Sequence, residues 1–312
     1  MINRRHIRVK VMQSAYAMLK SGSDNLAKEE KFLLHSIDKM YDLYLLKLDL
    51  LVRVRDMARN DIEISKKKHL ASKEELNPNT KFIDNSVLKI LAESTSLTDK
   101  IEERKITNWN LDDEYVRLVL NLIKESDFYV KYMENAERSE QEDKTFVINV
   151  FKHIIAPNEK LEDYFEDQFL GWVDDIPFVN TWIMKNLKKI KTDRQFVVDR
   201  LYKDMDDERF VLNLFRRVIL HHDKYGEEIA DKTPNWDTDR IADMDMLLIK
   251  MAICEFLKFP SIPVRVTINE YIEISKDYST KKSSYFINGV LDKLQKEFSD
   301  SKRIEKIGRG LL

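Results

Sequence analysis

The chain has 312 residues, a formal net charge of −2 and a sequence pI of about 6.4. That length suits one large or two ordinary domains with real cores, and the charge balance announces no nucleic-acid partner. Six glycines and six prolines are too few for Rossmann folds, P-loops or β-sandwiches, whose turns need glycine, so helices are favoured.

Arg4 to Leu19 reads as a first helix, with Val11, Ala15 and Met18 on one stripe and Ser21-Gly22-Ser23 as its stop. No acidic residue precedes Asp24, while Arg4, Arg5, His6, Arg8 and Lys10 crowd one short stretch. Arg4 and Arg8 share a helix face, Arg5 lies beside it, and Lys10 is turned away. Gln13 and Tyr16 continue the polar side. Arginine supplies phosphate contacts, glutamine pairs with base edges, and tyrosine stacks on unpaired bases. The plainer alternative is an ordinary solvated basic helix end, which is common.

A long helix follows at about Lys28 to Asn60, carrying Phe32, Leu33, Ile37, Met40, Leu43, Tyr44, Leu48, Leu51 and Val52. Ser65 to Asn79 is polar, ends in Asn77-Pro78-Asn79 and reads as a loop. Helical patterns then cover Phe82 to Glu103 and Asp112 to Ala136, and Trp109, Trp172 and Trp182 read as core. Asp143–Ile155 resembles Asp207–Ile219. At the same offset Lys160 pairs with Lys224, Asp167 with Asp231, Trp172 with Trp236 and Asp175 with Asp239. This reads as a duplicated helix-loop-helix unit, against the plainer reading of two similar amphipathic helices.

Asp204, Asp206, Asp207 and Glu208 precede an apolar helix and are expected to serve its positive N-terminal end rather than acid–base chemistry. His221 and His222, being adjacent, point about 100° apart and cannot hold a metal on one face. Cys254, the single cysteine, lies in the apolar run Met244–Phe259 and reads as a buried structural thiol. Pro260 and Pro263 break the preceding helix, and Pro263 opens the next. Val264, Ile268, Ile272 and Ser275 trace one face of it. Phe286, Val290, Leu294 and Phe298 stripe a second helix, which forms a hairpin with it across Ser279–Ser283. Lys281-Lys282 at that turn is a second candidate phosphate contact. Gly289 inside the stripe costs about 1 kcal/mol relative to alanine, so a reason for it is expected, such as close helix packing.

There is no glycine-rich phosphate loop, nucleophile elbow or HExxH helix, so no catalytic residue, metal or cofactor is expected. No apolar stretch reaches the roughly 18 residues of a membrane span. The basic N-terminus lacks the apolar core and cleavage site of a signal peptide, and a reducing cytoplasm is expected.

Several of these residues resemble the NusB family of transcription antitermination factors. The matches are Arg4-Arg5-His6-Ile7-Arg8 through Gln13-Ser14-Ala15-Tyr16, then Lys250-Met-Ala-Ile-Cys-Glu255. The most specific matches are Pro263, Ile268-Asn269-Glu270, Ile272-Glu273 and Phe286-Ile-Asn-Gly-Val-Leu-Asp-Lys293. The resemblance covers about 1–36 and 200–298, and the chain looks like a long Bacteroidetes-type variant. It implies an all-α, NusB-like helical bundle, with 40–195 as a long helical insertion, partly duplicated, and 299–312 as a basic C-terminal tail. It also implies a non-catalytic factor that binds boxA-type single-stranded RNA together with a small-subunit ribosomal protein acting as NusE. Such a factor works within the RNA polymerase antitermination complex in ribosomal RNA transcription, with no membrane or small-molecule substrate.

By position, Arg4, Arg5, Arg8, Gln13 and Tyr16 would contact RNA, with Lys10 nearby and Lys282 and Phe286 on the same surface. Asp245 would face the protein partner. The sequence departs from the family at Val9, Lys282 and Arg216-Arg217, where acidic or small residues are usual. Alternatives are an interaction scaffold without RNA specificity, or the RNA-binding part of an RNA-modification system. The latter would need a glycine-rich cofactor loop that this sequence lacks.

Overall fold

The computed structural model describes residues 1–230 and 242–311. Every regular element among them is helical, with no strand, as the resemblance implies. Two compact units divide the chain, Met1–Ile37 with Leu201–Leu312, and Asp38–Arg200. The resemblance puts the family-like segments at 1–36 and 200–298 and the insertion at 40–195.

The first helices are α1 (Arg4–Ser21) and α2 (Leu26–Lys66), the latter running through the boundary between the units. The side chain of Asn3 accepts from His6 N at 2.8 Å to start α1, and Gly22 ends it in the left-handed region, at φ 66°. Asp38–Arg200 holds the rest of α2 and then α3 (Lys73–Leu76), α4 (Ser86–Ala92), α5 (Thr95–Glu103), α6 (Asn108–Leu111) and α7 (Asp113–Glu125). It continues with α8 (Asp127–Glu134), α9 (Glu140–Val150), α10 (Glu159–Gln168) and α11 (Ile176–Lys189). Leu201–Leu312 adds α12 (Met205–Leu220), α13 (His222–Ala230), α14 (Asp243–Lys258), α15 (Val264–Tyr278) and α16 (Ser283–Asp300).

Three expected elements are corrected. The loop Ser65–Asn79 contains α3, nucleated by a capping box in which Ser72 and Glu75 bond each other's backbone N–H. The pattern Phe82–Glu103 is two helices, because the Ser94 side chain accepts from Leu97 N and restarts the chain as α5. Asp112–Ala136 breaks likewise at Ser126, which caps α8. In the last two cases a capping serine interrupts an apolar period that continues across it.

Within Asp38–Arg200 the middle of α2 is buried on all sides from Met40 to Leu51, as befits a central helix. The three tryptophans around it are core, 3–5% exposed, and each indole N–H has a partner: Leu46 O, Lys39 O and Asp199 Oδ2. The succession α9–α10–α11 matches α12–α13–α14 at the offset of the sequence repeat. Its aromatics Phe146, Phe151, Phe210 and Phe215 are all core. The repeat partners Asp231, Trp236 and Asp239 lie outside the described residues.

The other unit is built around α14, buried almost continuously from Asp245 to Phe256. Each of its large apolar side chains contributes roughly 1.5–3 kcal/mol by burial. Helices α1, α12, α13, α15 and α16 pack on it. Cys254 is buried there, and burial pushes its thiol up to about 12. Asp204 caps α12 by accepting from the backbone of Asp206 and Asp207, as the acidic cluster led us to expect. Gly289 does not serve close packing: a Cβ there would meet nothing within 4 Å, and nothing in the structure explains the glycine.

Candidate nucleic-acid interface

Helix α1 starts with arginines and no acidic residue in its first turn. Cations at the positive end of a helix dipole are unfavourable unless something offsets them. Carboxylates from three other helices do so. Arg4 Nε donates to Asp207 on α12 at 2.7 Å. Arg5 donates through Nε and Nη2 to Glu270 on α15, both at 2.9 Å. Arg8 donates through Nε and Nη2 to Glu255 on α14, at 2.7 and 2.8 Å. Arg4 and Arg8 also lie over the ring of Phe210, at 5.2 and 5.4 Å.

These pairs differ in exposure, which sorts the arginines. The side chains of Arg4 and Arg5 are 38% and 49% exposed, so their remaining donors stay within reach of a ligand. Arg8 is 1% exposed. A guanidinium so enclosed, with its fork on Glu255, offers nothing to a phosphate in this conformation, and its expected direct contact is corrected to an internal role. Lys10 is corrected on the same ground, being 2% exposed. Residue spacing alone assigned no role to Glu255 or Glu270. The available signal was a carboxylate in the middle of the apolar stretch Met251–Leu257, which demands a buried cation or donors.

Along α1, Gln13 and Tyr16 are half-buried. Tyr16 carries Lys20 over its ring at 5.7 Å, and Lys20 pairs with Asp243 at the N-terminal end of α14. Lys281 and Lys282 are exposed at the α15–α16 turn, and Phe286 is half-buried. That turn is tied to the same end of α14, because Ser279 Oγ donates to Asp245 Oδ1 at 2.5 Å. The candidate residues therefore fall into two groups on α1, around Arg5 and around Tyr16. Their separation is about 16 Å at 1.5 Å of rise per residue.

Asp245 is itself 5% exposed and spent on Ser279, so its expected place on a partner surface is corrected to the inside of the turn. His221 bonds Arg217 O and stacks on Tyr225, while His222 contacts Lys250. Among the described residues no cluster of three His, Cys, Asp or Glu side chains could hold a metal, and no helix is long and apolar enough to cross a membrane.

Comparison with known proteins gives the same family. The NusB family model matches residues 178–296, starting within α11. The transcription antitermination protein NusB of Salinibacter ruber is 39% identical over 112 residues, covering 36% of this chain and 70% of that protein. Its counterpart in Chloroherpeton thalassium is 35% identical over 122 residues, covering 39% of this chain and 58% of that protein. The one in Natranaerobius thermophilus is 34% identical over 94 residues, covering 30% and 68%. No solved structure matches significantly. A tight α14 core, an arginine-led α1 fastened to it, and identities of this size over most of a known relative have one common explanation: the chain belongs to the NusB family.

Proposed function

We propose that this protein is a transcription antitermination factor. It binds boxA-type single-stranded RNA together with a small-subunit ribosomal protein acting as NusE, in ribosomal RNA transcription. The observation that carries the reading is the Arg4–Arg5 edge of α1. Two arginines stand half-exposed at a helix end with no acid of its own, fixed from outside by Asp207 and Glu270. Fixed guanidinium forks suit phosphate recognition. Gln13, Tyr16, Lys282 and Phe286 supply the base-edge, stacking and further phosphate contacts. Arg8 holds the helix in place behind them through Glu255. The insertion, on this reading, arose partly by duplication of the α12–α14 segment.

The test is binding of a boxA-containing RNA and a scrambled control, with and without NusE, at two salt concentrations. Selective binding that NusE tightens, and that weakens with salt, is expected. Equal binding of both RNAs under every condition would move the function to a scaffold.

A further inference from the structure

The end of the chain lies beyond the NusB match and is built into its unit. Arg303 forks onto Glu228 of α13 at 3.0 and 2.6 Å. Lys306 Nζ donates to the carbonyls of Glu255 and Phe259, at 3.1 and 3.0 Å, so a cation sits at the negative end of α14. Ile307 N donates to Pro260 O at 3.1 Å. Gly310 passes so close that a Cβ there would lie 1.9 Å from Pro260 O. Only glycine lets the segment run along that carbonyl.

This docking delivers Arg309 to a cleft of about 570 Å3 that Arg4, Arg5, Pro263, Val266 and Glu270 also line. The other surface arginines there are each matched by an acid, Arg4 by Asp207 and Arg5 by Glu270. Arg309 is exposed and makes no ion pair among the described residues. The tail therefore adds a further positive charge to the cleft. The same lining carries apolar surface, where Val266 is 43% exposed and Pro263 half-buried. A cleft lined by cations and a small apolar surface matches one nucleotide of a single strand, its phosphate on the cations and its base on the apolar side chains.

We infer that the C-terminal tail is part of the RNA surface. Arg309 takes a backbone phosphate of single-stranded RNA beside Arg5, and the adjoining base rests on Pro263 and Val266. This rests on the RNA-binding reading above and extends it to residues outside the family match.

The experiment titrates boxA RNA against the full chain and its Arg309→Ala, Arg309→Lys, Gly310→Ala and Arg5→Ala variants over a range of salt. Arg309→Ala should bind roughly tenfold more weakly, as loss of a charge-assisted contact would. It should lower the log–log salt slope by about 0.7. Arg309→Lys should keep the slope and lose part of the affinity, since the charge remains and the fork does not. Gly310→Ala should reproduce the Arg309→Ala loss by undocking the tail, with helical circular dichroism retained. If Arg5→Ala weakens binding while Arg309→Ala matches wild type in affinity and slope, the tail inference is wrong and the RNA reading stands. If Arg309→Ala weakens binding but Gly310→Ala does not, the docked position is not what matters, and the inference again fails. If the wild-type chain binds no RNA, both fall.

Discussion

Arg8 and Glu255 form a closed ion pair inside their unit: Nε and Nη2 lie 2.7 and 2.8 Å from the two carboxylate oxygens, and the side chains are 1% and 0% exposed. Tyr271 donates to the same carboxylate at 2.6 Å and Thr267 at 3.2 Å. A buried pair overcomes its desolvation only when its remaining lone pairs are filled in this way. Burial pulls the guanidinium pKa down, Glu255 with Tyr271 and Glu270 pull it up, and the net direction is up.

Arg8→Ala leaves that carboxylate uncompensated in the core. We expect a loss of about 3–5 kcal/mol in urea unfolding, and recovery of most of it in the double variant Arg8→Met with Glu255→Leu. An unchanged unfolding midpoint for Arg8→Ala would remove the pair as the anchor of α1.

The two groups on α1 predict different losses. Arg5→Ala should weaken RNA binding and flatten the salt slope by about 0.7, the share of one single-strand phosphate. Tyr16→Ala should weaken binding with little change of slope, since stacking displaces no counterion. Titrations at several salt concentrations separate the two. A wild-type affinity in both variants would mean that RNA, if bound, lies elsewhere.

Much of this was legible in the residues. The helical class followed from the glycine count and the apolar period, and the family from Arg4–Tyr16 and Phe286–Lys293. The inward turn of Arg8 was not, because Arg4 and Arg8 share a face by spacing, and only the long-range partner decides which of them is enclosed. That partner is 247 positions away. The breaks at Ser94 and Ser126 were missed for a different reason: apolar periodicity carries on through a restart, and only the capping serine marks it. Arg309 was passed over because nothing in a short basic tail says that Lys306 and Gly310 dock it.

Asp245 separates a structural role from an interface role. Its carboxylate takes the Ser279 hydroxyl at the α15–α16 turn. Asp245→Ala should cost about 1–2 kcal/mol of stability by removing the charged acceptor of that hydroxyl and leaving it Ser283 Oγ alone. Binding of the NusE-type partner, followed by calorimetry below the unfolding range, should be retained. Full stability with lost partner binding would instead return Asp245 to the interface that the family resemblance implied.

Lys47 makes the other unit sensitive to pH. Its Nζ is buried, donates to Asn180 Oδ1 at 2.7 Å and lies 4.8 Å from the centre of the Phe165 ring. Burial pushes the amine down to about 7. The negative charge of Glu162 pulls the other way and limits the shift. In the unfolded chain the amine titrates near 10.4. Between about pH 7 and 10 the unfolded state therefore holds a proton that the folded state has released, and stability rises with pH across that window. Below it the ammonium is present in both states, and the folded protein bears the full cost of burying it, a few kcal/mol at about 1.4 kcal/mol per pKa unit. Lys47→Met removes this dependence while keeping the volume. We expect the variant to gain stability relative to wild type most at pH 6 and progressively less toward pH 10, read by urea unfolding at several pH values. The lost Asn180 contact shifts all points equally and leaves the trend intact. A difference that stays flat from pH 6 to 10 would show that Lys47 keeps its proton in the folded protein.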